Sequence, residues 1–342
     1  MTDKQWEILQ KTIKGEVIKP LPVGFIVDCP WLPNWYGIDI LDYFSNDELW
    51  LNANLKVLND FPEVMFLPGF WSEFGMCTEP SAFGARCTFP VNEFPHAHKI
   101  IQSAEDIDNL FDPNPKTDGL LPFMLNRLKI AQPKIEAAGH KIRFSVSRGP
   151  LNIASYLMGT TEFLTTMMMM PEKAESLIKK ITKFLIRWHE LQRETFPSID
   201  GILMLDDIIG FMGEEEFKQF CLPYFKELYD INISVKFLHN DAPCKVSASY
   251  LPEMGVNLFN MGFEITLNEL KKLTKYNVTM IGNIPPRDVL AAGTPEQVFQ
   301  NTTDLINSLE DKSRVIMSCG GGMPPGVSTE NLNAFISAVK KN

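Results

Sequence analysis

The feature that most constrains this chain is a recurring unit. A short, largely apolar run of β-branched and aromatic residues stops abruptly at polar residues or glycine, and a helical stretch follows. The runs are VMFL at 64–67, IRFSV at 142–146, GILML at 201–205, VKFL at 235–238, VNLF at 256–259, VTMI at 278–281 and RVIM at 314–317. Runs that are apolar at most positions, rather than alternating, suit strands buried on both faces, as in parallel sheets. The clearest helix is predicted over 171–194. There Leu177, Ile178, Ile181, Phe184, Leu185, Trp188 and Leu191 share one face, and Pro171 marks the start. Further helices are predicted over 214–229, over 267–274, over 295–309 with Thr294 as N-cap, and over 329–341 with Ser328 or Thr329 as cap.

Seven such units predict a distorted (β/α)8 barrel formed as a single domain by residues 1–342, with an eighth strand still to be placed. An open doubly wound sheet is the alternative, but no glycine-rich phosphate loop follows the first run. Residues 1–60 read as an N-terminal extension. Its aromatic, proline-rich stretch at 30–37 is expected to pack across one end of the barrel.

Bulk properties exclude several partners. The formal net charge is −10, and nucleic-acid binding requires a basic footprint. No apolar run reaches the ~18–20 residues of a membrane span, and the first 14 residues lack the apolar stretch of a secretory signal. A cytoplasmic protein is expected. The six cysteines, Cys29, Cys77, Cys87, Cys221, Cys244 and Cys319, show no short-spaced framework. They read as buried fillers with one or two available as metal ligands.

Barrels of this kind carry their chemistry at the C-terminal ends of the strands. The residues there are Trp71-Ser72-Glu73, Ser147-Arg148-Gly149, Asp206-Asp207, His239-Asn240-Asp241, Asn260, Gly282-Asn283 and Ser318-Cys319-Gly320. His239 and Asp241 stand two apart, so an extended segment turns both to one side. With the thiolate of Cys319 they form a candidate three-ligand zinc set with an open position. The competing reading is a metal-free hydrogen-bonding or acid–base histidine. Asp206 or Asp207 is expected to orient substrate or act as a base, against the alternative of a capped turn. His96 and His98 read as a surface loop, and His189 as structural. The four methionines at 167–170 read as adaptable core packing, and the acidic run at 214–216 as a complement to a helix dipole.

Four ordered stretches resemble the uroporphyrinogen decarboxylase superfamily: 149–159 (GPLNIASYLMG); 200–207 (DGILMLDD) with 221–225 (CLPYF); 237–241 (FLHND) with 282–285 (GNIP) and 293–296 (GTPE); and 316–325 (IMSCGGGMPP). The resemblance implies a distorted barrel with its cleft at the strand C-termini. It also implies one of two chemistries: cofactor-free decarboxylation of uroporphyrinogen, or methyl transfer between a corrinoid or corrinoid protein and a thiol or methylated compound, usually with zinc. The decarboxylase branch carries an arginine-rich N-terminal motif, whereas residues 28–36 here contain no arginine. The methyltransferase branch shows His-x-Cys and, much later, a Cys in a glycine-rich strand end. Here the first motif reads His239-x-Asp241, and the later Cys position aligns with Gly321, two residues after Cys319.

On this basis a corrinoid-dependent methyltransferase is expected. It would hold zinc through His239, Asp241 and Cys319, with Cys244 in reserve. Trp31, Trp35 and Trp71, with Asn283, would meet the corrin or substrate, and Asp206 or Asp207 would orient the donor. A corrinoid protein is the expected partner and a homodimer the expected assembly. Two alternatives stay open. One is a carboxy-lyase for a smaller acid, using Tyr156, Arg148 and Asp207. The other is a non-catalytic partner of a corrinoid protein.

Overall fold

The computed structural model describes residues 1–27 and 30–342. Asp28 and Cys29, part of the arginine-free segment, lie outside the described residues. Eight parallel strands form the barrel: β1 (Gly24–Ile26), β2 (Met65–Leu67), β3 (Phe144–Arg148), β4 (Gly201–Leu205), β5 (Val235–Asn240), β6 (Leu258–Met261), β7 (Thr279–Ile284) and β8 (Val315–Cys319). Strands β3 to β8 form one continuous parallel sheet in sequence order, and β1 pairs in parallel with β2. Parallel bridges from Val23 to Met317 and from Ile26 to Gly322 join β1 to β8. Among the described residues no ladder joins β2 to β3, so the barrel is distorted at that seam.

The unplaced strand is therefore β1, inside the stretch read as an extension. Three residues behind a proline-rich segment are too few to show a pattern. The rest of that stretch divides in two. Met1 and the helix Asp3–Ile13 close the N-terminal end of the barrel: Met1, Trp6, Leu9 and Ile13 join the interior cluster of Phe144, Val235, Phe237, Leu258, Ile281 and Ile316. Trp6 meets Phe144 edge-on at 5.4 Å. The aromatic helix Trp31–Tyr36 lies instead in the outer layer, where Trp31 stacks on Phe66 at 6.1 Å.

The predicted helices form with small differences. The longest runs Pro171–Thr195, and its buried face is the predicted one. Thr294 and Ser328 accept amide hydrogens as N-caps of Pro295–Ser308 and Thr329–Lys341. The helix predicted over 214–229 is two, Glu214–Phe220 and Leu222–Tyr229, because Pro223 cannot supply the amide hydrogen that a continuous helix needs. Of the four methionines only Met167 is core; Met168 and Met169 are exposed. No helix among the described residues is long and apolar enough to cross a membrane.

Candidate functional site

Which residues face the barrel interior follows from the two-residue period of a strand. On β3 the interior cluster takes Phe144 and Val146, which puts Arg148 inside and Ser145 and Ser147 outside. The outer pair holds His189. Its Nδ1 and Nε2 lie 2.9 Å from the Ser145 and Ser147 hydroxyls, in a fully packed layer. Burial pushes its pKa down to about 3. His189 is structural, as its helix position suggested.

On β5, Val235 and Phe237 point inward, and His239 follows them. Its Nδ1 lies 2.7 Å from Asn260 Oδ1, while Asn260 Nδ2 donates to the Ile281 carbonyl at 2.8 Å. Because the asparagine amide is thereby oriented oxygen-first, Nδ1 carries the imidazole proton. The ring's other nitrogen, Nε2, lies 3.6 Å from Asp241 Oδ1. Both residues line a cleft of about 540 Å³ with Pro30, Pro286, Arg287, Gly320, Gly322 and Met323. The Asp241 carboxyl is pushed up, first by enclosure in the cleft and then by Asp207, while His239, the Gly322 amide and Arg287 pull it down.

Asp206 and Asp207 separate in role. Asp206 is fully buried, and its Oδ2 accepts the amide hydrogens of Leu151 (2.9 Å) and Asn152 (3.2 Å) at the start of the helix Pro150–Met158. Burial pushes its pKa up to about 8 against those hydrogen bonds. A Cβ on Gly149 would collide with this carboxylate, so glycine there and aspartate at 206 form a packed cap. The expectation that Asp206 handles substrate is thus corrected to the capped-turn alternative. Asp207 is half-buried at the mouth, where its Oδ1 accepts the Asp241 amide hydrogen at 2.7 Å.

The β2–β3 seam is filled by charge. Glu73, following β2, pairs with Arg148 at 2.9 Å; both are buried, at 4% and 7% side-chain exposure. The Arg148 guanidinium lies 5.2 Å over the Trp71 ring, and its amide donates to buried Glu79 at 3.2 Å. Tyr156 shares this environment. Burial pushes its phenol up to about 12, with Arg148 pulling down and Asp207, Asp206 and Glu79 pushing up. Glu79 and Arg287 carried no strand-end signal in the sequence, because each sits on a segment beyond a strand end.

Other expected residues are elsewhere. Trp31 is fully buried, its indole N–H donating to the Val327 carbonyl at 3.0 Å, and the Trp35 N–H donates to Thr329 Oγ1 at 3.0 Å. Neither lines the cleft, because the helix Trp31–Tyr36 turns into the outer layer. Asn283 Nδ2 donates to Ile265 O (2.7 Å) and Gly262 O (3.3 Å), pinning the loop after β6. Of the residues expected to meet a cofactor, only Trp71 belongs to the interior.

Cys319 is also misplaced. On β8, Ile316 belongs to the interior cluster, and Val315, Met317 and Cys319 belong to the outer core. The inward residue at that strand end is Ser318, whose buried hydroxyl has no hydrogen-bond partner among the described residues. A catalytic zinc needs three converging protein donors. Here His239 and Asp241 approach each other, while Cys319 belongs to the outer core cluster with its thiol 3.7 Å from the Gly321 carbonyl. The reserve thiol, Cys244, lines a smaller adjoining cavity of about 170 Å³, and burial pushes its pKa up to about 12. Among the described residues no three His, Cys, Asp or Glu side chains are grouped to hold a metal. Among the described residues the expected zinc set of His239, Asp241 and Cys319 is not brought together.

The model of the uroporphyrinogen decarboxylase (URO-D) family matches residues 7–342. The chain belongs to that family. Similar curated proteins include the uroporphyrinogen decarboxylase of Chlorobaculum tepidum, 25% identical over 256 residues and 70% of each chain. That of Pseudoalteromonas translucida is 21% identical over 318 residues, covering 88% of this chain and 85% of the relative. Among solved structures, a methyltransferase from Methanosarcina mazei superposes with a TM-score of 0.81 at 18% identity, covering 98% of this chain and 97% of the other. That likeness establishes the barrel. The family makes an enzyme the natural reading of the cleft.

Proposed function

We propose that this chain is a methyltransferase of the family, moving a methyl group between a small methylated compound and a corrinoid brought to the mouth as co-substrate. The observation that carries the reading is the charge of the cleft. Among the described lining residues the charged side chains are Asp241 and Arg287, with Asp207 bonded to the Asp241 amide beside them; the one other nearby guanidinium, Arg148, is buried in its pair with Glu73. A substrate with many carboxylates would find a single cation, Arg287, among the described lining residues to offset its charge. A neutral or cationic methyl donor meets no such barrier.

Methyl transfer breaks a heteroatom–carbon bond and leaves electron density on the heteroatom. The chain can stabilise that charge by hydrogen bonding. Tyr156 keeps its proton well above neutral pH and serves as a donor. His239, oriented by Asn260, presents Nε2 to the cleft beside Asp241, where the protonated ring would donate to that charge. Asp207 holds the Asp241 backbone and so orients that segment. With Trp31 and Trp35 in the outer layer, the chain offers no resident corrin cradle among the described residues. A carrier protein for the corrinoid fits this reading.

The test incubates the purified protein with reduced cobalamin and a panel of methoxylated, methylamine and methylthioether donors, following corrin absorbance. Methylation with at least one donor, lost in His239→Ala and reduced in Asn260→Leu, supports the reading. A second reading, a carboxy-lyase for a smaller acid, is favoured by the adjacency of Tyr156 and Arg148 and by the decarboxylase relatives. Release of carbon dioxide from candidate acids, with no donor methylating cobalamin, would replace the first reading with the second.

A further inference from the structure

Gly321 and Asp241 occupy one space. Gly321 sits at φ +73°, and a Cβ built on it would collide with the Asp241 carboxylate, oxygens and carbon alike. Gly321 is also the position that aligns with the late cysteine of the methyltransferase branch. The volume a side chain from the β8 loop would enter is thus already filled by a side chain from the β5 loop.

Asp241 is held on several sides, with its side chain 51% exposed. The Asp241 amide hydrogen goes to Asp207, after β4. His239 Nε2 lies 3.6 Å away on β5, and the Gly322 amide and Arg287 both favour its ionised form. The glycine loop is held in turn by Gly321 N–H donating to Met261 O (2.8 Å) and Gly320 N–H donating to Ile284 O (2.9 Å). We infer that Asp241 is a positioning residue that takes the place of the third ligand missing among the described residues, tying the β4, β5 and β8 loops together and closing the mouth without a resident metal. The inference stands whether the enzyme transfers methyl groups or releases carbon dioxide, because it concerns what fills the mouth.

Two measurements test it, neither of which reads activity. The first is zinc content after incubation with excess Zn²⁺ and desalting, for the wild type, His239→Ala and the double variant D241C/G321C. The wild type should retain no more zinc than His239→Ala, while D241C/G321C, with carboxylate removed and two thiols added beside His239, should retain about one ion per chain. One zinc per wild-type chain, lost in His239→Ala, overturns the inference. So does a folded D241C/G321C that binds none, since the shared volume would then not be a ligand position. The second, needed if the double variant fails to fold, is a thermal-melt cycle of Gly321→Ala in the Asp241 and Asp241→Gly backgrounds. The left-handed strain of alanine is common to both and cancels. Gly321→Ala should lower the melting temperature several degrees more when Asp241 is present. Equal losses in the two backgrounds would refute the shared volume.

Discussion

Removing the charge of Arg148 is the most revealing stability experiment this fold offers. Arg148→Met keeps a long apolar stem but takes the cation from the one seam where no ladder joins neighbouring strands. Glu73, 4% exposed and 2.9 Å from the guanidinium, would lose that cation while staying buried. Glu79, 2% exposed, would lose the cation that opposes the burial-driven rise of its pKa. Breaking a buried pair from one side costs ~3–5 kcal/mol, most of it the stranded charge. With a urea slope of about 3 kcal/mol/M, the unfolding midpoint should fall by roughly 1–1.5 M.

Neutralising Glu73 should return part of that loss, so E73Q/R148M should be more stable than R148M alone. The deficit should also depend on pH. Burial already raises the Glu79 carboxyl, and Arg148 opposes that; without Arg148 the folded value climbs further. A carboxyl raised above its unfolded value contributes stability that is complete below the unfolded pKa, near ~4.3, and lost as pH rises through the folded value. The R148M deficit should therefore grow from pH 5 to pH 8. Urea melts at both values decide it. A loss under about 1 kcal/mol, or a double variant no better than the single, would refute the claim that Arg148 compensates buried acid at the seam.

Other predictions follow from the same residues. Asp206→Asn keeps an acceptor for the Leu151 and Asn152 amides but removes a carboxyl that burial pushes up to about 8. Wild-type stability from this group is lost as pH rises through that value, so the variant's melting temperature should gain on the wild type between pH 7 and pH 9; parallel curves would count against it. His189→Leu strands the Ser145 and Ser147 hydroxyls and should cost about 2–4 kcal/mol at neutral pH. Because His189 is held down to about 3, the wild type loses stability as pH falls from ~6.5 toward that value. The leucine variant should show a shallower acid decline in melts. Gly149→Ala drives a methyl group into the Asp206 carboxylate and should yield poorly soluble or strongly destabilised protein; a melting temperature within a degree of wild type would mean the helix start can shift.

The chain's own residues reveal much of this enzyme. Seven apolar runs with abrupt polar stops predict a parallel barrel and locate its mouth, and they bring His239, Asp207, Asp241 and Arg148 to one rim. The N-caps at Thr294 and Ser328, the structural His189 and the face of the longest helix were legible for a local reason: capping and amphipathic period act over a few residues.

What the linear pattern could not carry is the parity of each strand. A strand buried on both faces is apolar at every position, so VIMSC at 315–319 gives no sign of whether Ser318 or Cys319 faces the interior. Only its register against β7 and β1 decides that the serine does. The same holds for strand β1, for the outward turn of Trp31 and for the Glu73–Arg148 pair across the seam. Each depends on contacts between segments tens to hundreds of residues apart, and above all Asp241 and Gly321, 80 positions apart in the chain, share one space only once the barrel has closed.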